Sequence, residues 1–230
     1  MKKYELTDET KVVNGVTLHR ISALIDIPLH DVKAGDLGGW IEAERNLSQK
    51  NSAWVADEAW VAGNAWVFDN ALVADRARMF GEAWAFDESR VFDDAQVFDD
   101  AQVFGKAWVQ DDAKVFNCAK VLDDALVSGF AQVSDWALVG GNAIIKANAS
   151  IKAQSDVLTI GAIGSRDDTT TFYRVTDGGI YVTCGCFSGS IDDFAAKVKA
   201  VHAGTKHEKT YLLAVELAKA QMNVESEVNK

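Results

Sequence analysis

Residues 54–71 read WVADEA WVAGNA WVFDNA. The same six-residue unit continues to Gly161, which gives 18 consecutive copies without an inserted or deleted residue. Its second position is nearly always valine and its sixth position nearly always alanine. A spacing of six cannot keep these residues on one face of an α-helix, but it can line the wall of a solenoid that turns every six residues.

Each unit predicts a short strand with its second residue pointing inward, followed by a corner at the fourth position. The fourth position is aspartate nine times, glycine five times and asparagine once, and these residue types tolerate turn dihedrals. The pattern resembles the hexapeptide repeat of left-handed parallel β-helix proteins, whose chain winds around a triangular prism. That resemblance implies the left hand, three units per coil, six coils, and an interior column made of Val55, Val73, Val91, Val109, Val127 and Ile145.

We therefore predict an all-β solenoid, a left-handed parallel β-helix of about six triangular coils over residues 54–161. Residues 1–53 are predicted to form an N-terminal β cap, with a hairpin that turns at Asn14-Gly15 and degenerate lead-in coils after it. Residues 162–230 are predicted to form a small C-terminal α+β (ββαα) domain. Its hairpin spans residues 171–183, and its first helix follows Ser190 as N-cap.

Composition limits the classes of partner. The formal net charge of −11 argues against non-specific binding to nucleic acid, because phosphate binding needs a basic face. Three cysteines are an odd number that fits reduced thiols better than a disulfide framework. No apolar run has the length of a membrane span and no apolar signal region follows Met1, so we expect a cytoplasmic protein without a membrane partner.

Histidine placement argues against catalysis. Many proteins with this repeat are acyltransferases, and the resemblance implies a histidine base in the coils together with a long loop that shapes the acceptor pocket. All four histidines here (His19, His30, His202 and His207) lie in the flanks, and no unit is extended. The carbonic anhydrase branch of this fold needs three histidines for its metal. We predict no catalytic residues, although an acyltransferase stays open if His202 or His207 reaches a neighbouring subunit's prism.

Two groups of residues could bind metal. Winding in threes stacks corner carboxylates, which could hold a divalent cation through oxygen ligands: Asp57, Asp75, Asp93 and Asp111. Cys184 and Cys186 with His202 and His207 could form a zinc site, and Cys184 could serve as a nucleophile beside a histidine. We favour solvated turns and ordinary thiols, and predict neither a metal nor another cofactor.

The first and third positions of each unit point outward and are unusually apolar. One prism face carries an aromatic strip, continued by Leu138 and Leu158, and made of Trp66, Phe68, Trp84, Phe86, Phe104 and Leu122. So large an apolar surface must be covered, either by the C-terminal helices or by another subunit. The family resemblance implies a trimer with its axis parallel to the prisms, so we predict a homotrimer that buries the strip.

A second face mixes aromatic, cationic and amide side chains. This ligand face consists of Trp60, Arg78, Phe80, Gln96, Phe98, Lys114 and Phe116. Aromatic rings beside cations suit a flat anionic ligand such as a nucleotide. The alternative is an ordinary solvated sheet face whose phenylalanines contact the C-terminal domain.

The whole chain, including residues 35–41 and 184–189, resembles hexapeptide-repeat proteins carried by phages and prophages of enteric bacteria. That resemblance implies action in the host cytoplasm. We predict a non-enzymatic, homotrimeric binding protein that counters host defence by sequestering a nucleotide-like signal or a host protein in grooves between subunits. An acyltransferase that performs O- or N-acetyl transfer is the alternative, and a structural scaffold is the third hypothesis.

Overall fold

The chain begins with an antiparallel hairpin. A computed structural model describes residues 2–223, and in it β1 (Tyr4–Val13) pairs with β2 (Val16–Ala23). Asn14 and Gly15 form the turn with φ values of 51° and 82°, as the Asn-Gly pair predicts. Strand β3 (Leu37–Ile41) pairs antiparallel with β2 and parallel with the first coil strand of its sheet, so it links the hairpin to the solenoid.

Seventeen two-residue strands follow at an unbroken spacing of six. In chain order, β4 to β20 are Trp54–Val55, Trp60–Val61, Trp66–Val67, Leu72–Val73, Arg78–Met79, Trp84–Ala85, Arg90–Val91, Gln96–Val97, Gln102–Val103, Trp108–Val109, Lys114–Val115, Lys120–Val121, Leu126–Val127, Gln132–Val133, Leu138–Val139, Ile144–Ile145 and Ser150–Ile151. Coil strands three units apart pair in parallel, as Val55 does with Val73. The coils therefore contain three units each and form a left-handed parallel β-helix with three sheets.

The solenoid core has the predicted composition. Every second-position side chain from Val55 to Ile151 is fully buried. The sixth-position residues from Ala59 to Ala149 are at most 1% exposed. Small side chains at the sixth position let the backbone turn tightly around the stacked aliphatic columns, which are close-packed as in other protein interiors.

The corners use left-handed backbone at the fourth position. From Asp57 to Ala147 every fourth-position residue has a positive φ, whether it is aspartate, asparagine, glycine or, at the end, alanine. Seven of the nine corner aspartates add a second interaction, because the carboxylate accepts a hydrogen bond from the backbone N–H of the corner one coil later. Asp111 accepts from Gly129 at 2.8 Å, and Asp123 accepts from Gly141 at 2.8 Å.

The N-terminal segment covers the first coil. Tyr4, Ile21 and Leu47 join the continuous buried core of the solenoid, and the Tyr4 ring meets Trp54 edge-on with 6.5 Å between ring centroids. Ile41 pairs with Val61 and Leu47 bridges to Val67, both in parallel. The N-terminal segment is therefore the β cap that the sequence predicts, and it includes a lead-in coil.

The C-terminal unit begins earlier than the hexad pattern suggests. The last predicted unit, residues 156–161, lies outside the coils, because Val157 opens the first strand of a four-stranded antiparallel sheet. Its strands are β21 (Val157–Ile163), β22 (Asp168–Arg174), β23 (Ile180–Cys184) and β24 (Phe187–Ser190). The predicted hairpin is the β22–β23 pair, so the sheet contains two strands beyond it.

Two helices complete the unit. Helix α1 (Ile191–His202) follows Ser190 as N-cap, as predicted, and the Ser190 side chain accepts a hydrogen bond from the Asp193 N–H. Helix α2 (Lys206–Gln221) follows, and both pack on one face of the sheet. Tyr173 and Val175, on the opposite face, join the solenoid core, so the sheet closes the end of the prism. Within residues 2–223, no helix has the length and apolarity needed to cross a membrane.

Candidate functional site

The ligand face lies on the nine-stranded sheet that also contains the N-terminal hairpin. Its first-position residues are direct neighbours on successive coils: Trp60 pairs with Arg78, Arg78 with Gln96, and Gln96 with Lys114. The predicted order of these residues along the face follows from the winding of three units per coil.

The phenylalanines of this face stack on one another. Phe80, Phe98 and Phe116 have ring centroids 5.0 Å apart with planes 4° apart, and Trp60 stacks on Phe80 at 5.7 Å. Neighbouring rings already contact each other, so a planar ligand has no space between them. Stacking of a ligand within this ladder is therefore excluded, which leaves the ring edges and the two ends of the ladder, with Trp60 at the lower end.

A groove of about 320 Å³ lies at that lower end. Four ligand-face residues line it together with the hairpin tip, and the lining residues are Val13, Asn14, Val16, Leu18, Glu42, Trp60, Ala62, Gly63, Arg78, Phe80, Gly81 and Gln96. Phe98, Lys114 and Phe116 lie farther along the same face, outside the groove. The sequence did not predict that the hairpin forms a wall of this groove, because nothing near the Asn-Gly turn indicates that the hairpin docks beside Trp60.

The charged residues that line the groove are Arg78 and Glu42. The carboxylate of Glu42 is already engaged, since it accepts hydrogen bonds from the Gly63 N–H at 2.6 Å and from Arg45 at 3.0 Å. Arg76, two residues before Arg78, donates to Asp94 at 2.8 Å. Among residues 2–223, Arg78 and Lys114 form no ion pair, so both cations are available to an anion.

The aromatic strip lies on the five-stranded sheet. Phe68, Phe86 and Phe104 stack with centroids 4.9 Å apart, and Trp66 stacks on Phe68 at 4.1 Å. Trp66 is 38% exposed and Trp84 is 41% exposed in the single chain. Leu122 is half-buried next along the strip, and Leu138 continues it with 39% exposure.

The C-terminal helices pack on their own sheet rather than on this strip. Leu158, which we expected to extend the strip, belongs instead to β21 and packs in the core beneath the helices. The spacing of six placed Leu158 in the predicted aromatic strip, but the chain leaves the prism before residue 158.

The remaining candidate residues lie at corners and in the C-terminal unit. The stacked corner carboxylates bind backbone N–H groups, as Asp75 and Asp93 do toward Asp93 and Asp111. Within residues 2–223, no three histidine, cysteine or acidic side chains form a metal-binding group. Cys184, Cys186 and His202 line one pocket, while the His207 ring lies 5.9 Å from that of His202.

Comparison with known proteins adds no family assignment. No protein-family model matches the chain, and a search of curated proteins finds no match.

Proposed function

We propose that the chain is a cytoplasmic, non-enzymatic homotrimeric binding protein that sequesters a flat anionic ligand of the nucleotide class. The observation that carries this proposal is the groove beside Trp60, where Arg78, which forms no ion pair with a residue of the described range, adjoins aromatic side chains in a protein of net charge −11. A nucleotide base fits the apolar wall, and its phosphate suits charge-assisted hydrogen bonds from a guanidinium.

The position of the groove supports a role for the trimer in binding. Gly63 and Gly81 line the groove and lie at the corner where the nine-stranded sheet meets the sheet that carries the aromatic strip. A second subunit covering the strip would therefore stand beside the groove and could complete its wall. The same arrangement would allow a host protein to bind between prisms.

The hexapeptide pattern and the resemblance to phage-borne proteins support sequestration rather than turnover. Sequestration needs affinity but no general base, and the coils contain no histidine. We propose on this basis that the ligand is a host signal that the protein withholds from its receptor.

Binding of a fluorescent mant-labelled ADP by the full chain, measured as fluorescence anisotropy, tests the proposal. Arg78→Gln together with Lys114→Gln is expected to weaken binding at least tenfold, since a charge-assisted hydrogen bond contributes about 1.5–3 kcal/mol and about 1.4 kcal/mol is tenfold in affinity. Lys106→Gln, an exposed corner cation on neither face, is the matched control and should leave affinity unchanged. Equal affinity of the double variant and the wild type would contradict the proposal.

A further inference from the structure

A second pocket, of about 240 Å³, opens in the C-terminal unit, far along the chain from the ligand face. It lies between the 3-10 turn Gly164–Arg166, the β23–β24 turn and helix α1. The pocket is smaller than those that hold drug-sized ligands, so its volume suits one or two fused aromatic rings.

Aromatic side chains form the floor. Phe194 is buried, with its ring centroid 5.2 Å from Phe187 and 5.4 Å from Tyr211. Gly164 permits this packing, because it has a φ of +78° and a Cβ there would overlap the Tyr211 hydroxyl. The floor therefore offers ring faces and edges to an apolar ligand.

The polar groups of the floor are satisfied by one another. Thr170 donates a hydrogen bond to the Cys184 sulfur at 3.2 Å, and that sulfur lies 3.7 Å from the Tyr211 hydroxyl. Burial, followed by the hydrogen bond with Cys184, raises the pKa of Tyr211, which keeps its hydroxyl neutral. The Tyr211 and Thr170 hydroxyls and the phenylalanine rings therefore bring no charge to the floor.

Two cations stand at the rim. Arg166 lies against the β23–β24 turn, where a Cβ on Gly185 would be 3.1 Å from its Nη1 atom. Lys197 projects from α1 with its Nζ 5.5 Å from the centroid of the Phe187 ring. No carboxylate lines the pocket, and neither cation forms an ion pair within the described part of the chain.

We propose that this pocket binds a small aromatic carboxylate, with its ring against Phe187, Phe194 and Tyr211 and its carboxylate between Arg166 and Lys197. An aromatic floor below a rim that carries two cations and no carboxylate selects an amphipathic anion, because the ring gains apolar burial while each oxygen meets a donor. The pocket is separate from the ligand face, so this site does not depend on nucleotide binding.

Titration of the full chain with 2-naphthoate, followed by calorimetry, tests this inference. We expect saturable one-to-one binding, and at least tenfold weaker binding of the uncharged 2-naphthamide. Arg166→Gln with Lys197→Gln should weaken naphthoate binding at least tenfold, whereas Lys199→Gln, an exposed cation on the same helix, should not.

The inference would be overturned by the absence of saturable naphthoate binding, by equal affinity for the amide, or by unchanged affinity in the double variant. Arg166 and Lys197 are exposed, and circular dichroism of the double variant checks that it folds. The variant of Arg78 and Lys114 should bind naphthoate like the wild type. Loss of binding in that variant would place the naphthoate on the ligand face instead.

Discussion

At the scale of single residues, the corner aspartates explain a preference that turn conformation alone does not. Glycine adopts the left-handed corner conformation more easily than aspartate does. Aspartate is nevertheless more frequent there, and its carboxylate can accept a hydrogen bond from the N–H one coil later, as Asp123 does from Gly141. Each such aspartate therefore links two consecutive coils. The negative charge that these aspartates bring to the corners follows from this structural role.

Ser89 is an exception within the core. It occupies a sixth position, is fully buried, and its hydroxyl has no hydrogen-bond partner within the described residues. A buried hydroxyl without a partner loses its hydrogen bonds to water and forms none within the protein, which lowers the stability of the fold. We expect Ser89→Ala to raise the free energy of unfolding by about 1 kcal/mol, measured by urea denaturation.

The matched control for this prediction is Ala107→Ser. Ala107 occupies the same sixth-position column one coil later and is also fully buried. The reverse substitution should lower the free energy of unfolding by a similar amount. A destabilised Ser89→Ala variant would instead show that the hydroxyl of Ser89 has a partner that stabilises the coil.

At the scale of elements, the coils were predictable and their end was not. The spacing of six, together with the three units per coil that the family resemblance implies, determines which strands pair. Val157 still occupies an inward position in that pattern, but it pairs with Tyr173 in an antiparallel sheet. Pairing with β22 is a long-range contact, and a single apolar residue at the expected spacing cannot distinguish it from one more coil strand.

The candidate site likewise has one part that the sequence predicts and one part that it does not. Trp60, Arg78 and Gln96 follow one another on the ligand face because the period places them there. The wall opposite them comes from the hairpin, much earlier in the chain, with Val16 and Leu18 in the groove. Period and composition predict a face, whereas a groove depends on how two distant elements dock.

The N-terminal cap contains a buried amine with an altered pKa. Lys3 is 1% exposed and donates a hydrogen bond to the Ala53 carbonyl at 2.6 Å. Burial lowers its pKa from 10.5 to about 8. Between these two values the unfolded chain holds a proton that the folded chain has released, so the free energy of unfolding should rise with pH in this window.

Lys3→Met tests this dependence, because it removes the titrating group and keeps an apolar stem. The stability of the wild type relative to Lys3→Met should rise between about pH 7.5 and about pH 9.5, measured by urea denaturation. Lys2→Met is the control, since Lys2 is exposed in a pair with Glu44 and should leave the pH profile unchanged. Parallel profiles for the wild type and Lys3→Met would show that Lys3 keeps its proton when buried.

At the scale of the whole molecule, the ligand face and the aromatic strip differ in what covers them. The hairpin contributes one wall to the ligand face, and the C-terminal unit closes the end of the prism. The aromatic strip is left with two large tryptophans open to solvent in the single chain. A contiguous apolar surface of this kind is typical of a protein interface, and closed rotational symmetry would bury it in every subunit.

We therefore expect the wild type to be a trimer whose assembly depends on the strip. Trp66→Lys together with Trp84→Lys places two cations on that face, where a neighbouring subunit would have to desolvate them. Sedimentation velocity should show a trimer for the wild type and a monomer for the double variant. Trp108→Lys is the matched control, because Trp108 is 41% exposed but lies on the six-stranded sheet, and it should leave the trimer intact. A monomeric wild type, or a double variant that stays trimeric, would mean that another surface mediates assembly or that none does, and the groove beside Trp60 would then have to bind its ligand within one subunit.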